Sequence, residues 1–245
     1  MLQTNFVYNS SNGRATLQGS QSHAVIADFS PKPWTDVRIL DLGSLEGHFS
    51  LEFASKGAQV VAIEGREANN AKARAAAASQ GLRNVQFVTD DVRNLSRESY
   101  GAFDVVLCSG ILYHLPGEDG CRLIETIADL CTNLTIIDTR IGLRDFKSVQ
   151  WKDKKYFGVV FPEHASTDTA AAKLARPWAS LDNETSFWMT KPSLLNLLRV
   201  VGFTTVAEVF RPASFFDNSD RVTLSAIKGV PSDVVRYRKR DKKRR

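Results

Sequence analysis

The chain has 245 residues, of which 43% are hydrophobic and 9% aromatic, a globular composition that can bury one substantial core. No stretch approaches the roughly 18 uninterrupted apolar residues that a membrane span needs. Residues 1–20 have neither the basic start nor the apolar centre of a signal peptide. We therefore expect a cytoplasmic protein that makes no contact with a membrane.

The formal net charge of +5 is concentrated at one end of the chain. Residues 236–245 hold eight basic residues and one acid, a net +7, which leaves −2 for the rest (+5 − 7). A broad basic binding face is thus excluded, and we predict that residues 231–245 form a disordered basic tail. This tail either serves solubility or contacts RNA or another polyanion.

The cysteines and histidines do not form a metal-binding or redox pattern. Cys108, Cys121 and Cys131 are an odd number without a CxxC pair and lie in apolar segments, so we predict reduced core residues. His23 and His164 have no recognisable partner, and no pair of histidines or cysteines has metal-ligand spacing. We predict no metal site.

From Val37 onward, apolar runs of strand length alternate with segments of helical period, the pattern of a parallel sheet with helical crossovers. The last two predicted strands are joined by a short connection, so the final strand should be antiparallel. The predicted fold is a doubly wound, mostly parallel seven-stranded α/β sheet. The predicted strands cover residues 37–42, 59–63, 85–89, 103–108, 134–138, 204–210 and 221–228, and the helices cover 46–56, 67–80, 120–131 and 194–201.

The domain prediction follows from these elements. Residues 1–36 are an N-terminal extension, and residues 37–230 are one domain. Its segment 141–189 is rich in aromatic residues and interrupts the strand–helix alternation. Because insertions of this length usually carry function, we predict a lid over a substrate pocket, with a structural cap as the alternative. The residues of interest in it are Trp178, Asn183, Glu184, Phe187 and Trp188.

The most informative motif is a strand that ends in an acid and continues through a glycine-bearing turn into a helix. Gly43 and Gly47 leave room for a ligand to meet the bare backbone around Ser44. Asp41 can face a cationic ammonium group. A purely structural turn is the alternative.

Acidic residues also end the next two strands. Glu64, followed by Gly65, stands where a carboxylate can accept both hydroxyls of a ribose. Asp90 and Asp91 end the third strand, where a carboxylate and the N–H of Val92 can contact an adenine. Ligands of doubly wound sheets lie beyond the carboxyl ends of the strands, so these positions together predict a nucleoside site. Solvated loop acids would explain each position singly.

These residues resemble the class I S-adenosylmethionine-dependent methyltransferase family over about residues 37–228. The resemblance implies S-adenosylmethionine as cofactor, held by Asp41 to Gly47, by Glu64, by Asp91-Val92 and by the motif after the fourth strand that includes Ser109. The family's usual middle glycine of the first motif is Leu45 here. The string from Ser109 to Leu115 is also similar, locally, to a subgroup that acts on the wobble uridine of tRNA.

Methyl transfer from a sulfonium is an in-line displacement that needs alignment and exclusion of water. For a hydroxyl or amide acceptor a general base helps, and His114 is the candidate because its ordinary pKa lies near neutrality. Tyr113 could orient the acceptor. Alternatively, His114 caps the loop and Tyr113 packs under the cofactor.

The predicted function is methyl transfer to an oxygen or nitrogen of a small molecule. Three alternatives remain open: a tRNA-modifying methyl or carboxymethyl transferase, a nicotinamide-dependent oxidoreductase, and a non-catalytic nucleoside-binding protein associated with RNA. The oxidoreductase would require GxGxxG, whose middle glycine is missing between Gly43 and Gly47.

Overall fold

A computed structural model describes Ile26, residues 32–209 and residues 220–229. Within these ranges the chain forms a seven-stranded sheet and a separate three-stranded sheet. The strands are β1 (Arg38–Leu42), β2 (Gln59–Glu64), β3 (Val85–Thr89), β4 (Phe103–Ser109), β5 (Cys131–Arg140), β6 (Lys147–Trp151), β7 (Lys154–Pro162), β8 (Thr185–Met189), β9 (Thr205–Glu208) and β10 (Arg221–Ile227). The helices are α1 (His48–Ser55), α2 (Glu67–Ser79), α3 (Arg97–Tyr100), α4 (Gly117–Leu130), α5 (Ala170–Leu174) and α6 (Lys191–Val200).

The large sheet has the strand order β3-β2-β1-β4-β5-β10-β9. Strands β1 to β5 pair in parallel, whereas β10 runs antiparallel to both β5 and β9. The predicted fold class is therefore confirmed, including the reversed last strand. The strand order reverses between β1 and β4, because β2 and β3 extend the sheet to one side and β4 and β5 to the other. The carboxyl ends of these two central strands therefore open onto one crevice.

Helices cover both faces of this sheet because successive strand residues point to opposite sides. Leu40 faces a core built with α4 and α6, while Ile39 packs with Phe53 of α1 on the other face. Helix α6 begins where Thr190 accepts a hydrogen bond from the Ser193 N–H, as the capped sequence predicts. Helix α1 begins two residues later than predicted, because Gly47 precedes it with a left-handed φ of 79°.

The insertion 141–189 folds into the antiparallel sheet β6-β7-β8 and the short helix α5. Its inner side is anchored, since Tyr156, Phe187 and Met189 are buried in the same core as α4 and α6. Phe187, which the sequence suggested for a pocket wall, is thus a core residue. The insertion combines a structural sheet with the more exposed segment that follows β7.

Three predictions fall wholly or partly outside the described residues: most of the extension 1–36, the connection that precedes Asp220, and the basic tail 231–245. Cys108, Cys121 and Cys131 are buried and form no disulfide with one another, and burial raises the pKa of Cys108 and of Cys121 to about 12. In the part of the chain that the structure describes, no helix is both long and apolar enough to span a bilayer.

Candidate functional site

The loop between β1 and α1 has a backbone that few residues adopt. Gly43, Leu45 and Gly47 have φ angles of 66°, 49° and 79°. A side chain at Gly47 would collide with Phe87, because its Cβ would lie 2.6 Å from the Phe87 Cε1. Leu45 is not a glycine but has a left-handed φ, which costs on the order of 1–2 kcal/mol because its Cβ approaches the backbone closely.

Asp41 lies near the end of β1 and is 2% exposed. Its carboxylate accepts a hydrogen bond from the Ser50 hydroxyl at 2.6 Å. Burial is the largest influence and raises the pKa of Asp41 to about 6, and the negative charge of Glu64 acts in the same direction. An ammonium group placed nearby would stabilise the ionised form.

Glu64 ends β2 with a carboxylate that is already well ordered. It accepts from the Leu45 N–H at 3.0 Å, from the Arg66 N–H at 3.0 Å and from the Asn69 amide at 3.2 Å. A carboxylate offers about four acceptor positions, so this group retains capacity for a ligand hydroxyl. Glu64 thus joins the glycine loop to the end of β2.

Asp90 and Asp91 are held differently from what the sequence suggested. Asp90 accepts from Tyr100, from Asn94 and from the Asp91 N–H; these bonds outweigh its partial burial and hold the pKa of Asp90 below its usual range. The Asp91 carboxylate is bound by Arg93, whose Nε lies 3.0 Å from both carboxylate oxygens and whose backbone N–H also donates to it. Of the two, Asp91 is the more fully paired within the protein.

The structure brings the predicted cofactor residues to one rim of the sheet. The Gly43 N–H donates to the Ile63 carbonyl, and the Asp90 N–H donates to the Glu64 carbonyl. A Cβ on Gly43 would lie 3.1 Å from the Cβ of Ile111, which follows β4 and Ser109. The ends of β1, β2, β3 and β4 therefore meet there, with Gly65, Val92 and Ser109 at the last three.

One buried polar atom at this rim has no partner in the described part of the protein. The Ser44 hydroxyl is buried and has no hydrogen-bond partner within the described ranges. Buried polar atoms are nearly always paired in folded proteins. The residues present therefore fit a polar ligand held over the glycine loop, as a nucleoside with an amino-acid chain would be.

His114 has a carboxylate partner that the sequence did not indicate. Its Nδ1 lies 3.0 Å and 3.1 Å from the two carboxylate oxygens of Glu163, whose side chain is 3% exposed. Although burial opposes it, hydrogen bonding to His114 and to the Ser180 N–H keeps the pKa of Glu163 below its usual range. A carboxylate on Nδ1 orients the ring and leaves Nε2 to accept a proton. Only the tertiary fold joins these two residues, which lie 49 positions apart.

Tyr113 lies beside His114 and against an aromatic wall from the insertion. Its ring centroid is 4.3 Å from that of His114 and 6.2 Å from that of Trp188, in an edge-on arrangement. Trp188 stacks on Phe161 at 4.3 Å and has the Arg140 guanidinium 5.3 Å from its ring. The Trp188 indole nitrogen is buried and has no hydrogen-bond partner among the described residues.

A buried ion pair lies beneath the same wall. Asp138 is 2% exposed and accepts from the Arg221 Nε and from the Thr223 hydroxyl, each at 2.6 Å. The Arg221 guanidinium lies 5.6 Å from the Tyr113 ring. This pair supports Tyr113 from β5 and β10, and the sequence contained no signal that would have identified it.

The other insertion residues have mixed positions. Asn183 donates to the His114 carbonyl at 3.1 Å and so fixes that loop, whereas Glu184 and Trp178 are exposed, Trp178 to 74%. His164, for which the sequence offered no partner, is buried and bonded to the Ser180 carbonyl at 2.9 Å. Among the residues that the structure describes, no cluster of three His, Cys, Asp or Glu could hold a metal ion.

Comparison with known proteins identifies the segment that contains this rim. The family described as "Methyltransferase domain" matches residues 39–133. A ubiquinone biosynthesis O-methyltransferase from Acinetobacter baumannii (strain AYE) is 32% identical over 79 residues, which are 32% of this chain and 33% of that protein. The matched segment thus spans about a third of the length of this curated relative.

Solved structures match over most of the chain. The N-terminal domain of EvdMO1, crystallised in the presence of SAH and D-fucose, has a TM-score of 0.67 at 23% identity and covers 86% of this chain and 82% of that chain. Magnesium protoporphyrin IX methyltransferase from Synechocystis PCC 6803, with bound SAM, has a TM-score of 0.57 at 16% identity over 88% and 79% of the two chains. At these identities the likeness establishes a shared fold.

Proposed function

We propose that residues 39–133, which match the family described as "Methyltransferase domain", form a class I, S-adenosylmethionine-dependent methyltransferase domain, and that the chain transfers a methyl group to a hydroxyl of a small molecule. The observation that carries the proposal is the His114–Glu163 pair beside the rim where the cofactor residues meet. A hydroxyl is a weak nucleophile at neutral pH, so its methylation benefits from a base in this position.

The cofactor supplies an electrophilic methyl group on a sulfonium. We assign its amino-acid portion to Asp41 and to the loop of Gly43, Ser44 and Gly47, where a buried hydroxyl lacks a partner. Glu64 and Gly65 would take the ribose. Because the Asp91 carboxylate is bound by Arg93, we assign the adenine contact at β3 to the Val92 backbone and to Asp90 as much as to Asp91. Ser109 would close the site from β4.

His114 is the proposed general base. Glu163 holds the Nδ1 proton, so Nε2 is the acceptor and can take the hydroxyl proton as the oxygen forms its bond to the methyl carbon. The ionised Glu163 then stabilises the imidazolium that forms. Tyr113, whose ring is tilted by 43° against that of His114, would align the acceptor so that its oxygen and the methyl carbon are collinear with the leaving sulfur.

The insertion would form the acceptor wall. The Trp188 ring lies next to Tyr113, and Phe161 extends the same aromatic surface. The buried N–H of Trp188 has no partner among the described residues and is the donor that we assign to the acceptor. The named relatives support a small organic acceptor, because one belongs to ubiquinone biosynthesis and one structure was obtained with D-fucose. We propose an acceptor with a ring and a second oxygen that accepts a hydrogen bond from Trp188.

An RNA acceptor was predicted from the local likeness at Ser109 to Leu115 and from the basic tail. The tail lies outside the described residues, and the comparisons reported above do not include an RNA-modifying enzyme. This alternative and the cytoplasmic location stay predictions.

The direct test incubates the purified chain with methyl-labelled S-adenosylmethionine and a panel of phenols, sugars and small-molecule extracts, with total tRNA as a separate arm. Mass spectrometry then locates the label. Calorimetry with S-adenosylhomocysteine and with NAD separates the proposed enzyme from the oxidoreductase alternative. Label on a hydroxyl oxygen supports the proposal; label only on tRNA, or binding of NAD in place of S-adenosylhomocysteine, refutes it.

Two variants then test the base. His114→Ala should lower kcat by about 10²–10⁴-fold and Glu163→Gln by about tenfold or more, with S-adenosylhomocysteine binding retained. Glu98→Gln, the same change at an exposed glutamate of α3, is the matched control. Unchanged kcat in both test variants would show that His114 is not the base.

A further inference from the structure

We infer that residues 174–182 of the insertion, called the strap below, link the cofactor rim to the general base, and that Arg66 is the positioning residue that holds the strap closed. The inference rests on the proposed function. It adds a role for a residue that belongs to neither the predicted cofactor set nor the predicted catalytic pair. The strap follows Glu163, the partner of His114, and precedes Trp188 in sequence. Its contacts nevertheless reach Gly65 and Arg66, which follow β2.

The Arg66 side chain binds backbone carbonyls of the strap. Its Nε donates to the Leu174 carbonyl at 3.1 Å, and its Nη2 lies within hydrogen-bond distance of the carbonyls of Arg176, Ala179 and Ser180, at 2.8, 2.9 and 3.1 Å. A guanidinium suits this task because it presents several donors in one plane, and a lysine would not reach the same set. These bonds close residues 174–180 around one side chain.

Ser180 is the point where the strap meets the catalytic pair. Its carbonyl accepts from Arg66 at 3.1 Å and from the His164 ring at 2.9 Å, and its N–H donates to Glu163 at 2.9 Å. Glu163 in turn binds His114. The Ala179 carbonyl, which accepts from Arg66 at 2.9 Å, belongs to the same peptide group as the Ser180 N–H. A continuous series of hydrogen bonds therefore runs from Arg66 through this peptide group and the Glu163 carboxylate to the proposed base.

The other end of this series is the predicted ribose site. The Arg66 N–H donates to the Glu64 carboxylate, and Leu181 of the strap packs directly on Gly65. A Cβ on Gly65 would lie 2.4 Å from the Leu181 Cδ1, so the absence of a side chain at 65 makes room for the strap. Leu181 supplies the apolar surface that residue 65 itself lacks.

A second contact holds the strap at the predicted adenine strand. Asp182 accepts from the Arg93 guanidinium at 2.8 and 2.9 Å, and the same guanidinium binds Asp91. This pair is partly exposed and contributes little alone, and it acts together with the contacts of Arg66 and Leu181.

The arrangement couples two events. When the strap is closed, Leu181 and Arg66 complete the rim behind Glu64 and Ser180 holds Glu163 against His114. When the strap opens, the Ser180–Glu163 bond is lost together with the cover of the rim. A ligand that favours the closed strap therefore also favours the oriented base, which is how lids complete catalytic groups.

The first test measures the strap without catalysis. Trypsin can cleave after Lys173 but not after Arg176, which precedes Pro177, and S-adenosylhomocysteine should slow cleavage at Lys173 in the wild type. In Arg66→Gln we expect cleavage after Lys173 to be about tenfold faster, with ligand protection reduced. Arg83→Gln, at an exposed arginine after α2, is the matched control and should behave as the wild type. Equal cleavage in Arg66→Gln and wild type would overturn the inference.

The second test measures coupling to the base. Arg66→Gln should lower kcat by about tenfold or more while the acceptor KM changes less than about threefold. In a Glu163→Ala background the same change should lower kcat by less than about twofold, because no side chain remains to join the Ser180 N–H to His114. Additive losses would refute action through Glu163, even if the strap loosens.

A third variant covers the case that Arg66→Gln does not fold. Leu181→Ala leaves all Arg66 bonds in place and should speed strap cleavage several-fold and weaken S-adenosylhomocysteine binding; no change in either would refute the role of Leu181. A wild type that methylates no hydroxyl would refute the proposed function, whereas an active wild type with indifferent Arg66 and Leu181 variants would refute the strap alone.

Discussion

Asp41 is held at the cofactor rim at a cost in stability, and Asp41→Asn should reveal it. Burial raises the pKa of this carboxyl from 3.8 to about 6. The folded state therefore binds more protons than the unfolded state between about pH 4 and pH 6, so the contribution of Asp41 to stability falls as pH rises through this window. At 1.36 kcal/mol per pKa unit, the ionised group costs on the order of 3 kcal/mol above pH 6.

Asparagine is uncharged at every pH and can still accept the Ser50 hydrogen bond. Asp41→Asn should therefore be more stable than the wild type by up to about 3 kcal/mol at pH 7.5, with little gain at pH 4. Urea unfolding at the two pH values measures this difference. Asp153→Asn, at a carboxylate whose side chain is 82% exposed, is the control and should show no such gain.

The same variant should bind S-adenosylhomocysteine more weakly, by about 1.5–3 kcal/mol, because a hydrogen bond to a charged ammonium is lost. Calorimetry at pH 7.5 gives the affinity. A stability gain of equal size at both pH values, or a loss at pH 7.5, would refute the idea that the buried negative charge of Asp41 lowers stability. Unchanged ligand affinity would refute the assignment of Asp41 to the ammonium.

Three further predictions concern the loop, the ribose acid and the acceptor wall. Leu45→Gly should keep the free energy of unfolding within about 1 kcal/mol of wild type, because the relieved left-handed φ offsets the greater freedom of the unfolded chain, whereas Leu45→Val should be clearly destabilised in the same urea titration. Glu64→Ala should weaken S-adenosylhomocysteine binding by about 1.5–3 kcal/mol and also lower stability, since three donors lose their acceptor; unchanged calorimetric affinity would contradict the ribose assignment. Trp188→Phe removes one N–H and should raise the acceptor KM about tenfold while cofactor affinity stays constant; an unchanged KM would exclude Trp188 as a donor to the acceptor.

The sheet and the cofactor rim could be predicted because their signals are local. Apolar runs marked β1 to β5, and the short connection before β10 indicated that it would be antiparallel. Parallel strands place their carboxyl ends at one edge, so Asp41, Glu64 and Asp90 had to meet once the strands were identified. The turn at Gly43 and Gly47 was indicated by the glycines themselves, whereas the left-handed φ of Leu45 was not.

The proposed catalytic pair, His114 and Glu163, and the strap could be identified only from the tertiary structure. Glu163 lies 49 residues from His114 and belongs to an insertion whose apolar residues do not show whether it folds as a lid or a sheet. The sequence did not show that Asp91 is paired, but in the structure its carboxylate accepts a hydrogen bond from Arg93. Nor did it show that Gly65 makes room for Leu181, which packs on it. Contacts between distant segments are set by how sheets and loops pack, which periodicity along one chain does not encode.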